Sequence, residues 1–219
     1  EPAPVSRDFL HYYLEEAGGF GADRLELRSR YFEPTWFELP LAAFGRGSVR
    51  NLSMALGTAL RSGIKEDTLQ ERLFEWTPSP LRGEIRVREG QTFYVDCYNA
   101  NPASMADALS FFHRLSQSKP RLYVIGGMEE LGLESERLHR ELGERLPLRS
   151  EDRVVLIGES ARPVGEGIGN PERVEFFVRA EKARERVDSF IGAIFLKGSR
   201  EHHLEMLVPG MDEDESNET

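Results

Sequence analysis

Between residues 84 and 196, short apolar runs of strand length alternate with longer stretches whose apolar residues recur at helical spacing. No other feature of the chain constrains the fold as much. Strands are expected at 84–87, 92–96, 121–125, 153–157, 174–177 and 193–196, and helices at 102–116, 134–146, 160–167 and 180–190. Such repetition needs crossover connections, which lay helices over the faces of a mostly parallel sheet, giving a Rossmann-like α/β architecture. Upstream, Phe9, Leu10, Tyr13, Leu14 and Ala17 at helical spacing predict a helix over 8–17, closed by Gly18-Gly19. Leu25 and Leu27 alternate with charges as in a half-buried strand, and 36–39 reads as a second. Ser48 is expected to cap a helix carrying Val49, Leu52 and Leu56 and ending at Gly63, while Leu69 and Leu73 mark a shorter helix. Repeated proline in Thr77-Pro78-Ser79-Pro80 disfavours a continuing helix and divides the chain into 1–77 and 78–209. Residues 210–219 are acidic, lack an apolar face and are expected to be a disordered tail.

The densest chemistry lies in Asp96-Cys97-Tyr98-Asn99-Ala100-Asn101, between the strand at 92–96 and the helix opened by Pro102. In open α/β sheets ligands bind outside the carboxyl ends of strands, which is where this loop falls. A structural role is equally open, because Asp and Asn also close Asx turns and cap helices. Lys197, at a strand end before Gly198-Ser199, suits either a bound carboxylate or phosphate or a solvated turn. Other signals read as structural. Gly165-Glu166-Gly167-Ile168-Gly169 lacks the full dinucleotide spacing and follows a helix pattern, so a helix-ending loop is expected. His202-His203 has no companion at metal-ligand spacing and reads as solvated surface. Cys97 has no activating partner and reads as a packing residue.

A formal net charge of -10 argues against nucleic acid as a partner. A single cysteine excludes an intrachain disulfide framework. No apolar run approaches the ~18 residues of a membrane span, and no basic-then-apolar leader is visible, so a cytoplasmic protein with no membrane partner is expected.

Asp96-x-Tyr98-Asn99-Ala100-Asn101-Pro102-x-Ser104 resembles a signature of the C-terminal domain of the Mur ligase family. Four further stretches fit in order: Gly45-Arg46-Gly47-Ser48-Val49-Arg50-Asn51, Gly126-Gly127-Met128-Glu129-Glu130-Leu131-Gly132, Leu138-His139-Arg140-Glu141-Leu142-Gly143 and Phe195-Leu196-Lys197-Gly198-Ser199-Arg200. Ser79-Pro80-Leu81-Arg82-Gly83-Glu84 is similar to the interdomain segment, and together these cover roughly residues 36–208.

The resemblance implies the C-terminal portion of an ATP-dependent, ADP-forming amide ligase that joins D-alanyl-D-alanine to UDP-N-acetylmuramoyl-tripeptide in peptidoglycan precursor synthesis. It further implies a cytoplasmic monomer and a mostly parallel Rossmann-like domain preceded by a remnant of the central ATPase domain. ATP and Mg²⁺ are the implied cofactors, with Asn51 on the adenine, Arg82 on the phosphates and Asp96 on the ribose. Tyr98, Asn99, Asn101, Lys197 and Ser199 would shape the acceptor side, and no catalytic residue or metal ligand is expected within the chain. The phosphate loop of the family ends in Gly-Lys-Ser/Thr, and no Gly-Lys dipeptide occurs among the four lysines Lys65, Lys119, Lys182 and Lys197. The chain also begins at Glu1, which suits a fragment, a processed chain or a trimmed form that does not catalyse alone. Gly47-Ser48 replaces the family's His-Asn, and Gly127 stands where an aspartate is usual. A stand-alone nucleotide or peptide binding module is the alternative. A related ligase for folate or cyanophycin-type substrates is disfavoured by Tyr98-Asn99-Ala100-Asn101.

Overall fold

The computed structural model describes residues 10–15, 24–39, 46–77 and 79–211. It separates into two compact units, Glu1–Pro78 and Ser79–Thr219. The expected tail falls almost wholly outside the described residues.

In the first unit β1 (His11–Glu15), β2 (Arg24–Ser29) and β3 (Phe32–Glu38) form an antiparallel sheet in the order β1-β2-β3. Helices α1 (Arg46–Arg61) and α2 (Glu66–Phe74) follow. Leu25, Leu27, Phe37 and Leu39 from the strand region pack with Val49, Leu56 and Leu73 from the helices. Gln70 of α2 accepts from the Glu38 N–H at 2.8 Å and donates to the Glu38 carbonyl at 2.9 Å, satisfying both backbone groups at the end of β3.

Two local expectations are corrected. The segment expected as helix 8–17 forms strand β1 over its described part, while Asp8, Phe9, Ala17 and Gly18-Gly19 lie outside the described residues. Its aromatic residues satisfy a strand period as well: Tyr12 packs against the core and Tyr13 is exposed, with the Arg28 guanidinium 4.8 Å from its ring centre. Pairing with β2 satisfies a row of backbone groups that an isolated short helix would leave to water, so tertiary pairing overrides the local pattern. Ser48 lies inside the first turn of α1, which begins at Arg46, and is not its cap.

The second unit contains β4 (Glu84–Arg88), β5 (Gln91–Asp96), α3 (Pro102–Leu115), β6 (Arg121–Gly126), α4 (Ser135–Arg145) and β7 (Arg153–Ile157). Then come α5 (Arg162–Ile168), β8 (Val174–Phe177), α6 (Arg184–Asp188) and β9 (Gly192–Lys197). Short 3₁₀ turns lead into α4, α5 and α6, so these helices begin later than expected. The six strands run in the order β4-β5-β9-β6-β7-β8, parallel apart from the β4–β5 hairpin. The last strand in sequence thus lies between β5 and β6, and it is buried along its whole length, as expected for a strand covered on both faces.

Side chains of β9 alternate between two cores. Ile194 and Leu196 join Phe93, Val95, Leu122, Val124, Val187 and Leu204. Phe195 faces the other way, against Tyr94, Phe112 and Tyr123 with ring centres 5.3–5.9 Å apart, which docks α3 on the sheet. At the amino end of β6, buried Arg121 donates to Asp152 Oδ2 and to the Pro147 carbonyl. The carboxyl ends of the strands are left to the loops that carry the candidate site.

Candidate functional site

Parallel registration places Asp96, the last residue of β5, beside Lys197, the last residue of β9. Lys197 is 1% exposed, and its ammonium donates to Asp96 Oδ2 at 2.6 Å and to the Asn99 carbonyl at 3.0 Å. An ammonium this deeply withdrawn from water needs a carboxylate partner and further oxygen acceptors, and the β5 loop supplies both. Lys197 therefore ties the Asp96–Asn99 loop to the centre of the sheet and is not the solvated turn lysine that the sequence left open. Asp96 Oδ1 has no protein hydrogen bond among the described residues.

Neighbouring residues are ordered by local rules. The Asn99 side-chain oxygen accepts from the Ala100 N–H at 2.7 Å. Asn101 caps α3: its side-chain oxygen accepts from the Ser104 N–H at 2.9 Å while the Ser104 hydroxyl accepts from the Asn101 N–H at 3.1 Å. With Pro102 in the first helical position, this reciprocal cap fixes where the loop becomes helix. Tyr98 is half exposed, and the exposed Arg82 lays its guanidinium 3.9 Å from the ring centre. Buried Cys97 has its thiol pushed up to about 12, first by burial and then by the Glu205 carboxylate, which suits packing and not nucleophilic attack.

A second network spans the ends of β6, β7 and β9. Ser199 is buried; its N–H donates to the Gly127 carbonyl at 2.9 Å and its hydroxyl accepts from the Glu129 N–H at 2.9 Å. The Met128 N–H donates to His139 Nε2 at 2.8 Å, so this nitrogen is the acceptor and the ring proton sits on Nδ1, 2.7 Å from the Ser135 carbonyl. Burial lowers the His139 pKa in agreement with this neutral form. Glu129 Oε1 accepts from the Ser160 hydroxyl at 2.6 Å and lies 2.9 Å from His202 Nε2. Burial would raise the Glu129 pKa, but the hydrogen bonds from Ser160 and His202 outweigh it and hold the carboxyl below its usual range.

Sequence reasoning missed Glu129, Ser160 and His202. His202 was expected on the solvated surface, yet its side chain is only 11% exposed, whereas that of His203 is 61% exposed. The signal was the placement of Gly126, Gly127 and Gly158 at strand ends. A side chain at Gly127 would collide with Ser160 Oγ, 2.0 Å from an ideal Cβ, which gives a steric reason for glycine there. The segment expected as a helix-ending loop at 165–169 is instead helical through Ile168, and Gly169 closes α5.

Asn51, the remaining residue expected at the site, stands exposed on α1 of the first unit. Among the described residues no three His, Cys, Asp or Glu side chains lie together as metal ligands. No helix among them is long and apolar enough to cross a membrane.

Comparison with known proteins adds an independent line. The chain is 30% identical over 185 residues to the UDP-N-acetylmuramoyl-tripeptide--D-alanyl-D-alanine ligase of Treponema pallidum, covering 81% of this chain and 39% of that protein. It is also 30% identical over 183 residues to the enzyme of the same name from Escherichia coli, covering 80% of this chain and 38% of the relative. The chain thus spans about two-fifths of the length of these curated relatives. A crystal structure of MurF from Acinetobacter baumannii superposes with a TM-score of 0.73 at 26% identity, covering 87% of this chain and 42% of that one. MurF from Thermotoga maritima, solved in complex with ADP, has a TM-score of 0.71 at 20% identity over 95% of this chain and 47% of that chain; at this identity the likeness is one of fold. The family model described as "Mur ligase, glutamate ligase domain" matches residues 81–200, more than half of the chain. Sequence and fold agree that the chain belongs to the Mur ligase family.

Proposed function

We propose that this chain is the C-terminal portion of an ADP-forming ligase that joins D-alanyl-D-alanine to UDP-N-acetylmuramoyl-tripeptide, and that it forms the acceptor side of the site. The observation that carries this reading is the ledge at the carboxyl ends of β5, β9 and β6, where Lys197 and Ser199 hold two polar loops in fixed positions. The relatives bearing that enzyme's name support the substrate pair.

In this reading the nucleotide supplies the phosphoryl group that converts the tripeptide carboxylate into an acyl phosphate open to attack by the dipeptide amine. Asp96 suits a ribose, because Lys197 fixes its carboxylate through Oδ2 while Oδ1 has no protein hydrogen bond among the described residues. Arg82, exposed beside Tyr98, offers charge to the phosphates. The described residues do not fit a Mg²⁺ site. Tyr98, Asn99 and Asn101 border the acceptor, with Lys197 and Ser199 acting through the loops they hold. Restraining these loops in advance lowers the ordering cost of receiving a small, polar dipeptide. The domain belongs in the cytoplasm, where nucleotide-linked precursors are made, and acts as a monomer.

The test combines binding and turnover. Calorimetry should detect D-alanyl-D-alanine binding to the isolated chain. Coupled assays with ATP, UDP-N-acetylmuramoyl-tripeptide and the dipeptide should show no ADP release, since the chain carries no Gly-Lys phosphate loop. Failure to bind the dipeptide would remove the acceptor role, and robust turnover would overturn the assignment to a non-catalytic portion.

A further inference from the structure

The loop after β6 carries an ionised carboxylate that no lysine or arginine neutralises among the described residues. Asp96, at the end of β5 on the same ledge, is paired with Lys197. The Glu129 side chain is 27% exposed, and its contacts differ at the two oxygens. Oε1 is held by Ser160 at 2.6 Å and by His202 at 2.9 Å. Oε2 has no protein hydrogen bond among the described residues.

The arrangement around this carboxylate is a built one. The His202 imidazole lies in a slot bounded by three glycines. An ideal Cβ would stand 3.0 Å from His202 Cδ2 at Gly126, 2.9 Å from Nε2 at Gly127 and 2.5 Å from Cε1 at Gly158. A methyl group at Gly127 or Gly158 would push the ring out, and one at Gly127 would also displace Ser160. Glycine at these strand ends is what lets a serine, a carboxylate and an imidazole meet. The Glu129 N–H is further fixed by Ser199, two residues beyond Lys197, so the carboxylate shares the ledge of the acceptor site.

We infer that Glu129 receives the ammonium group of the incoming amine acceptor through Oε2, with Ser160 and His202 as positioning residues that aim the carboxylate. The inference rests on the proposed acceptor role and adds the group that recognises the free amine. Its chemistry is complementary: a primary amine is an ammonium near neutral pH, and a preorganised carboxylate with one unpaired oxygen suits it. The lowered Glu129 pKa supports the geometry by keeping the group ionised at that pH.

Calorimetric titrations of the chain with D-alanyl-D-alanine and with N-acetyl-D-alanyl-D-alanine, which lacks the ammonium, test this. The free-amine dipeptide should bind about tenfold or more tightly than the acetylated form, and Glu129→Gln should abolish that preference, so that the two forms bind alike. Glu129→Asp should restore part of it, and His202→Ala should reduce it in the same sense while the chain stays folded by circular dichroism. Equal binding of both dipeptides to the parent, or an undiminished preference in Glu129→Gln, would overturn the inference and leave the acceptor role standing. Absence of binding by either dipeptide would overturn both.

Discussion

Lys197 and His139 are the two buried basic side chains of the ledge, and each is accommodated by a different rule. At the ammonium of Lys197, Asp96 and the Asn99 carbonyl take the place of water. Removing that ammonium would strand a partly buried carboxylate, a change that costs several kcal/mol where burial is complete and less at the 19% exposure of the Asp96 side chain. His139 instead stays neutral, because the Met128 N–H requires a bare Nε2. Its folded pKa is therefore depressed below the ordinary 6.5, and the unfolded chain binds the proton more readily. The resulting contribution to stability is complete above the unfolded pKa and is lost as pH falls through the depressed folded value. His113, lowered first by burial and then by the charge of Arg121, adds to the same trend. Urea unfolding should thus show a lower midpoint at about pH 5.5 than at about pH 7.5. His139→Gln, whose amide oxygen can accept the same N–H, should narrow that gap; an unchanged gap would assign the pH dependence to other groups.

Among the elements, α4 and α5 approach each other backbone to backbone, and two glycines, Gly143 and Gly167, explain it. An ideal Cβ on Gly167 would lie 2.0 Å from the Arg140 carbonyl oxygen, and one on Gly143 would lie 2.0 Å from the Val164 carbonyl oxygen. Small residues facing in both directions let the helices meet backbone to backbone, much as small residues do wherever helices cross closely. The consequence runs against helix propensity. Alanine is favoured over glycine within a helix by about 1 kcal/mol, but overpacking typically costs about 1–3 kcal/mol. Gly167→Ala should therefore be net destabilising and lower the urea midpoint without changing the slope; a raised midpoint would show that the interface yields freely. Because α4 also carries His139 and the loop before it carries Glu129, the same variant should weaken the free-amine preference proposed for the ledge.

For the whole molecule, the two units differ in how much core each can assemble. The first has one three-stranded sheet with a small cluster of Leu, Phe and Val side chains, whereas the second encloses a six-stranded sheet whose central strands are covered on both faces. A smaller core leaves less margin over chain entropy. Hydrogen exchange should consequently open Phe37, Leu39, Leu52 and Leu56 before Val95, Val124 and Leu196. Exchange of both groups together at the global unfolding free energy would show instead that the chain unfolds as one cooperative body.

Much of this architecture was legible from residue order. The six strands from 84 onward and the helix opened by Pro102 were legible because period-two and period-3.6 patterns are local, whereas the cap made by Asn101, expected on the acceptor side, emerged only in the structure. Motif order also carried the family, since the match depends on residue identity along the chain and not on folding. What the chain could not display locally was the fate of groups whose partners lie far away. His11–Glu15 carries a helical pattern but pairs as a strand because β2 offers an edge. Lys197 and Asp96 are separated by about a hundred residues and meet only because β9 inserts beside β5. His202 resembles a surface residue until the ends of β6 and β7 bring three glycines around its ring. Sequence alone thus determined the family and the elements from 84 onward, because both are written in local spacing and residue identity. The tertiary structure decided which polar groups are buried, paired or open to a ligand, because strand order sets their distances and their access to water.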